Sequence, residues 1–178
     1  HATKDNQLVC FHDFNLKRKF KLNKKIKDIN YSDLKKLSKK KKAEIPLLKD
    51  LLKISKNKHS LLFEIKPLFK RKNLLHLIKL TKRTKKYGLI SFKEKNLINL
   101  YKINKKLPLG LLLLASASFK KIKKKSKKKY VKFLVLEKKF LSNKNLNFVK
   151  KRIYYYTIKN KSLFKKYRYS KNLIFENL

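Results

Sequence analysis

A chain of 178 residues, 42% hydrophobic and 12% aromatic, is long enough to bury one sizeable core and too apolar to stay disordered, so a single domain over 1–178 is expected. Lys and Arg number 53 against 10 Asp and Glu, a formal net charge of +43, but the excess is almost wholly lysine and comes with abundant Asn, Ile, Leu, Phe and Tyr. Those residues are written largely with A- and T-rich codons, so most of the charge reads as compositional drift on solvated faces, and a nucleic-acid partner is disfavoured.

Cys10 is the single cysteine, which excludes an internal disulfide. The most apolar run, 107–117, falls well short of the roughly 20 residues that a membrane-spanning helix needs. The chain opens His1-Ala2-Thr3 and contains no Met, so an N-terminally incomplete sequence is expected.

In chain order, Asp5-Asn6 supplies a turn before a short apolar strand at 7–11, which ends at His12-Asp13. A short helix is expected over 31–37 with Ser32 as its N-cap, followed by the lysine run 39–42 as a solvated loop. Pro46 sits at the first turn of a second helix over 47–54. Next comes Ser60-Leu61-Leu62-Phe63-Glu64-Ile65-Lys66-Pro67, where strand alternation puts Glu64 and Lys66 on one face and Phe63 and Ile65 on the other. Pro67 removes a ladder donor where this strand should stop. A carboxylate there could hold a divalent cation, and an ammonium two residues on could hold a phosphate oxygen.

The alternation then repeats. Helices are expected at 70–87, 94–104, 143–150 and 162–167, and a weak basic helix or loop at 119–129. Strands are expected at 88–92, 107–114, 132–137, 152–158 and 172–176. Continuous apolar strands alternating with helices indicate parallel βα units covered on both faces. No glycine-rich phosphate loop follows any strand, which counts against an open nucleotide-binding sheet. Polar residues instead end several separate strands: His12, Glu64 with Lys66, Ser91, and Tyr156 with Thr157. That distribution fits the C-terminal face of a (β/α)8 TIM-type barrel lacking its first one or two βα units, since such a barrel takes about 250 residues. Along 152–158, alternation sends Tyr155 to the face opposite Tyr154 and Tyr156.

His12-Asp13 with Leu16 and Arg18 resembles the HD-x-x-L-x-R segment of the glycerophosphodiester phosphodiesterase family. Thr3-Lys4-Asp5 is similar to its T-K-D-G turn, Ile45-Pro46-Leu47-Leu48 to its I-P-T-L helix start, and Phe63-Glu64-Ile65-Lys66 to its I-E-I-K segment. Ile90-Ser91-Phe92, Leu107-Pro108-Leu109-Gly110-Leu111-Leu112 and Tyr154-Tyr155-Tyr156-Thr157 resemble its later strands, with Tyr156 in place of a tryptophan. The resemblance implies a barrel that hydrolyses glycerophosphodiesters to glycerol 3-phosphate and an alcohol with a divalent cation, Mg or Ca. It also implies that His12 is a catalytic histidine, Glu64 a metal-coordinating carboxylate and Lys66 a contact to the substrate phosphate. The family's first histidine and its other acidic metal ligands precede the position where this chain begins, and His1 is no substitute for them.

Two other readings stand beside the hydrolase. One is a truncated or catalytically inactive barrel of the same family. The other is a basic module binding nucleic acid or anionic lipid, motivated by net charge alone. His59 and His76 read as packing or surface residues, while Ser91 and Tyr156 read as lining the substrate mouth or as plain core.

Overall fold

The computed structural model describes residues 1–143 and 146–178 of the chain, which form two compact units, His1–Tyr87 and Gly88–Leu178. Among the described residues no helix is long and apolar enough to cross a membrane.

The first unit is built on a core of Val9, Leu16, Phe20, Ile26, Ile29, Leu34, Ile45 and Leu47. It contains a single helical turn α1 (Lys17–Phe20), α2 (Tyr31–Lys40), α3 (Leu48–Ser55), β1 (Leu61–Glu64) and α4 (Arg71–Thr81). The expected strand at 7–11 is extended but makes only isolated antiparallel bridges, Ala2 with Leu8 and Val9 with Leu47. Its amides are satisfied locally instead, Val9 by the His1 carbonyl at 3.0 Å and Cys10 by the Pro46 carbonyl at 2.9 Å. The turn before it forms as expected, with Asn6 at φ 60.

Ser32 is not the cap of α2. The helix begins at Tyr31 as expected, so Ser32 lies inside it, and the Tyr31 amide donates to the Asp5 carboxylate at 3.0 Å, a first-turn acceptor from 26 residues away. The lysine run extends α2 to Lys40, because Leu34 and Ser38, four residues apart, are both buried. Conversely α4 stops at Thr81, six residues before the expected end at 87; the buried Thr81 hydroxyl bonds back to the Leu77 carbonyl at 3.0 Å.

In the second unit β2 (Tyr87–Ser91), whose first residue closes the first unit, is followed by α5 (Glu94–Ile103), β3 (Leu109–Leu113), α6 (Phe119–Ser126), β4 (Phe133–Glu137), β5 (Ile153–Ile158), α7 (Lys161–Tyr167) and β6 (Asn172–Phe175). Strands β2 to β6 pair in chain order, each parallel to the next. The basic segment at 119–129 is a helix, capped by the Ser118 hydroxyl accepting from the Lys121 amide at 3.2 Å. The helix expected over 143–150 falls on 144–145, outside the described residues; beyond them the Val149 amide donates to the Leu146 carbonyl.

The register aligns one face of the sheet, with Ile90 opposite Gly110, Gly110 opposite Phe133, Leu112 opposite Val135 and Val135 opposite Tyr154. Ile90, Leu112, Phe133 and Val135 form a buried cluster on that face, packed by Tyr154, Tyr156 and Ile174. Leu89, Leu109, Leu111, Leu134 and Leu136, all buried, take the opposite face. Tyr155 is buried there as well, as alternation requires.

Gly110 is required by this packing, because a Cβ would clash with the edge of the Phe133 ring and lie 2.8 Å from Ile90 Cγ2. Gly110→Ala is therefore expected to cost about 1–3 kcal/mol of stability through overpacking. Urea denaturation of the two proteins checks this; an unchanged midpoint would mean that Phe133 has room to move.

Candidate functional site

In the first unit, burial decides the directions of the side chains around His12. Leu16 and Phe20, both buried and four residues apart, turn one side of α1 inward and leave Arg18 outward. Arg18 reaches back to Asp13 with two bonds, Nε to Oδ2 at 2.7 Å and Nη2 to Oδ1 at 3.0 Å, a forked grip that fixes the carboxylate plane. Asp13 Oδ1 also lies 2.8 Å from His12 Nδ1. The His12 side chain is 78% exposed and the Asp13 side chain 17%, so the ring projects into solvent from a sheltered carboxylate.

Hydrogen bonds from Arg18 and His12 hold the Asp13 carboxyl well below the usual carboxylate range. It stays ionised as pH falls through about 4, where a free aspartic acid protonates. The stability it adds is therefore fully present above about pH 4 and is lost only on further acidification through the lowered folded-state value. An ionised acceptor beside Nδ1 favours a proton on that nitrogen, which in the neutral ring directs the Nε2 lone pair away from Asp13.

β1 ends at Glu64, before Pro67, and buried Ile65 and Phe69 bracket the exit. Glu64 and Lys66 share a side, as alternation predicts, with Lys66 Nζ 3.2 Å from Glu64 Oε2. Both line a cavity of about 380 Å³ that is otherwise largely apolar, walled by Leu8, Leu48, Leu51, Phe63 and Leu77 with His1 and Cys10. Lys66 also lines a second, more open pocket of about 340 Å³ with His12, Asp13 and Arg18. The three residues singled out from sequence are thus linked through Lys66, which faces both hollows. His1 lines the apolar cavity too, with its ring edge-on to Phe14 at 5.4 Å.

Sequence reading left Asp13 and Arg18 without a role. The signal was present in the His-Asp adjacency and in an arginine five residues on, but the bond between them depends on the turn of α1. Ser91 does not open on a mouth: it is buried on the sheet face of Leu89, and its hydroxyl accepts from the Lys93 amide at 3.0 Å and from Asn96 Nδ2 at 3.2 Å. Tyr156 lies on the other face, its hydroxyl donating to the Leu113 carbonyl at 3.0 Å and its ring edge-on to Phe92. His59 is exposed and His76 half-buried, and neither lines these pockets.

A separate polar cluster in the second unit joins Glu94 to Lys125 at 2.5 Å and to the Tyr130 hydroxyl. Burial alone would raise the Glu94 carboxyl, yet hydrogen bonds from Lys125 and Tyr130 and the lysine charges leave it lowered. Burial, then the Glu94 hydrogen bond and charge, push the Tyr130 phenol up.

The model of the glycerophosphoryl diester phosphodiesterase family matches residues 1–169. Among solved structures, a glycerophosphodiester phosphodiesterase from Thermotoga maritima is 21% identical, with a TM-score of 0.80 over 98% of this chain and 78% of that one. A phosphodiesterase from Oleispira antarctica, solved in complex with its product sn-glycerol-3-phosphate, is 20% identical, with a TM-score of 0.80 over 98% and 77%. A glycerophosphodiester phosphodiesterase from Parabacteroides distasonis is 22% identical, with a TM-score of 0.75 over 98% and 76%. These likenesses establish the TIM-type barrel fold, of which the described residues carry six strands. No curated protein matches the chain.

Asp13→Asn should leave the fold intact and release the His12 ring from a single tautomer, read as ring-nitrogen shifts moving toward a mixed-tautomer average. Unmoved shifts would mean that Asp13 does not orient the ring. In the second unit, Glu94→Gln should bring the Tyr130 phenol part of the way back toward its ordinary value near 10 in a spectrophotometric titration. No movement would mean that burial alone raises it.

Proposed function

The chain belongs to the glycerophosphoryl diester phosphodiesterase family, and on that premise we propose that it hydrolyses glycerophosphodiesters to glycerol 3-phosphate and an alcohol, with His12, Glu64 and Lys66 as its working residues. The observation that carries the proposal is the shared position of Lys66, which lines one pocket with His12 and another with Glu64.

The substrate's phosphate is anionic and its leaving alkoxide is poor, so hydrolysis asks for a cation near the phosphoryl oxygens and a proton for the departing oxygen. Lys66 supplies a charge of the right sign, on a stem sheltered enough to hold one direction. His12, with Nδ1–H directed at Asp13, offers Nε2 to take a proton from the attacking group and return it to the alkoxide. Water adds to phosphorus, the bond from phosphorus to the alcohol oxygen breaks, and the proton ends on that oxygen. Asp13 and Arg18 act as positioning residues for His12.

Glu64 is a hard oxygen donor of the kind magnesium and calcium take. Among the described residues no three His, Cys, Asp or Glu side chains are grouped to hold a metal ion, so Glu64 would hold a divalent cation together with water and the substrate phosphate. Such an ion would withdraw charge from the phosphoryl oxygens. The absence of a larger ligand group among the described residues also favours a second reading, a barrel of this family that binds the diester without turning it over.

Glycerol 3-phosphate release from a glycerophosphodiester, assayed with magnesium or calcium, tests the proposal. His12→Asn is expected to lower kcat about 10²–10⁴-fold, and Lys66→Met to raise KM. Wild-type chain that binds the diester without releasing product would support the second reading, and equal activity in His12→Asn would remove His12 from the chemistry. Glu64→Gln should weaken magnesium binding measured by calorimetry; unchanged binding would place the cation elsewhere.

A further inference from the structure

Phe92 and Leu114 occupy equivalent positions in the second unit, each the first residue after a strand of the parallel sheet, β2 and β3. Both are exposed, Phe92 at 38% and Leu114 at 59%, although every residue of β3 before Leu114 is buried. The two side chains line one hollow of about 390 Å³ together with Lys93, Lys121 and Lys125. Its single carboxylate, Glu94, is already taken by Lys125 and Tyr130. Among the described residues no ion pair engages Lys93, Lys120 or Lys121. On α6, Ile122 and Ser126 are the buried side, and exposed Lys120 adjoins Lys121, which lines the hollow, in the helix's first turn.

Lysines elsewhere on this chain are explained by composition and call for no partner. Other large apolar side chains are exposed as well, Ile54 and Tyr169 more fully, and the Phe92 ring also meets Tyr156 edge-on, but Phe92 and Leu114 sit together on one hollow beside Lys93 and Lys121, so apolar surface and positive charge are exposed there as a joined patch rather than singly. That pairing matches the boundary of a bilayer, where apolar side chains enter the acyl region while lysines meet anionic headgroups. A nucleic acid would also meet the lysines, but it offers Leu114 nothing to bury against and favours planar stacking partners instead.

We infer that the rim formed by Phe92, Lys93, Leu114, Lys120 and Lys121 docks on anionic lipid surfaces. None of these residues belongs to the proposed catalytic set, so docking and hydrolysis are measured independently.

The test is co-sedimentation of the chain with vesicles of phosphatidylcholine alone or with about one third phosphatidylglycerol, at physiological salt. Binding is expected only to the anionic vesicles. The double variant Phe92→Ser, Leu114→Ser should weaken it about tenfold or more, from the loss of two apolar insertions. Lys93→Glu, Lys120→Glu, Lys121→Glu should weaken it similarly, with far-ultraviolet circular dichroism unchanged in both. Because each substituted side chain except Phe92 is well exposed, Leu114→Ser alone serves as the second variant should the double one misfold. Failure of wild type to bind anionic vesicles, binding unchanged by Leu114→Ser, or abolition by millimolar inorganic phosphate would each overturn the proposal. So would equal or tighter binding to a single-stranded oligonucleotide that competes with the vesicles and is indifferent to Leu114.

Discussion

Leu16 and Phe20 are buried on the same side of one helical turn, and that burial leaves Arg18 pointing outward, within reach of Asp13. Fully burying a side chain of this size contributes about 1.5–3 kcal/mol, far more than an exposed ion pair, so the core dictates the geometry and the ion pair follows it. The same logic holds at the end of β1, where buried Ile65 and Phe69 fix the chain on both sides of Lys66 and keep its ammonium beside Glu64. The polar groups of the site take their directions from apolar neighbours one to four residues away.

This constraint orders the polar groups that the proposed function assigns to one site. His12 is exposed and gains direction only from Asp13, which gains it from Arg18. Lys66 is more sheltered and faces two hollows of different character, one polar and open, the other largely apolar. An anionic diester has a charged centre and less polar arms, so a lysine at the meeting of two such hollows is a suitable anchor for it.

Much of this was legible in the sequence because period-two alternation survives in the strands. The face shared by Glu64 and Lys66 and the opposite face for Tyr155 followed from it, while β2, β3 and β4 were legible as continuous apolar runs. What was not legible depends on contacts distant in the chain. The α2 start is set by Asp5 rather than by Ser32, and 7–11 satisfies its amides at His1 and Pro46 instead of in a ladder. Ser91 looked like a rim residue because strand ends in barrels carry chemistry, but its parity puts it on the helix-covered face with Asn96. Lysine content misled at the end of α2, which runs further than its charge suggests, and α4 stops sooner than its pattern does, at the Thr81 back-bond.

If His12 and Lys66 serve one anionic ligand, adding sn-glycerol-3-phosphate to isotope-labelled chain should move the His12 ring and Lys66 ammonium resonances followed by NMR. Saturable shifts at both groups, abolished together by Lys66→Met, are the predicted result. Shifts confined to the lysines of the second unit, or none at His12 with ligand in excess, would contradict the account.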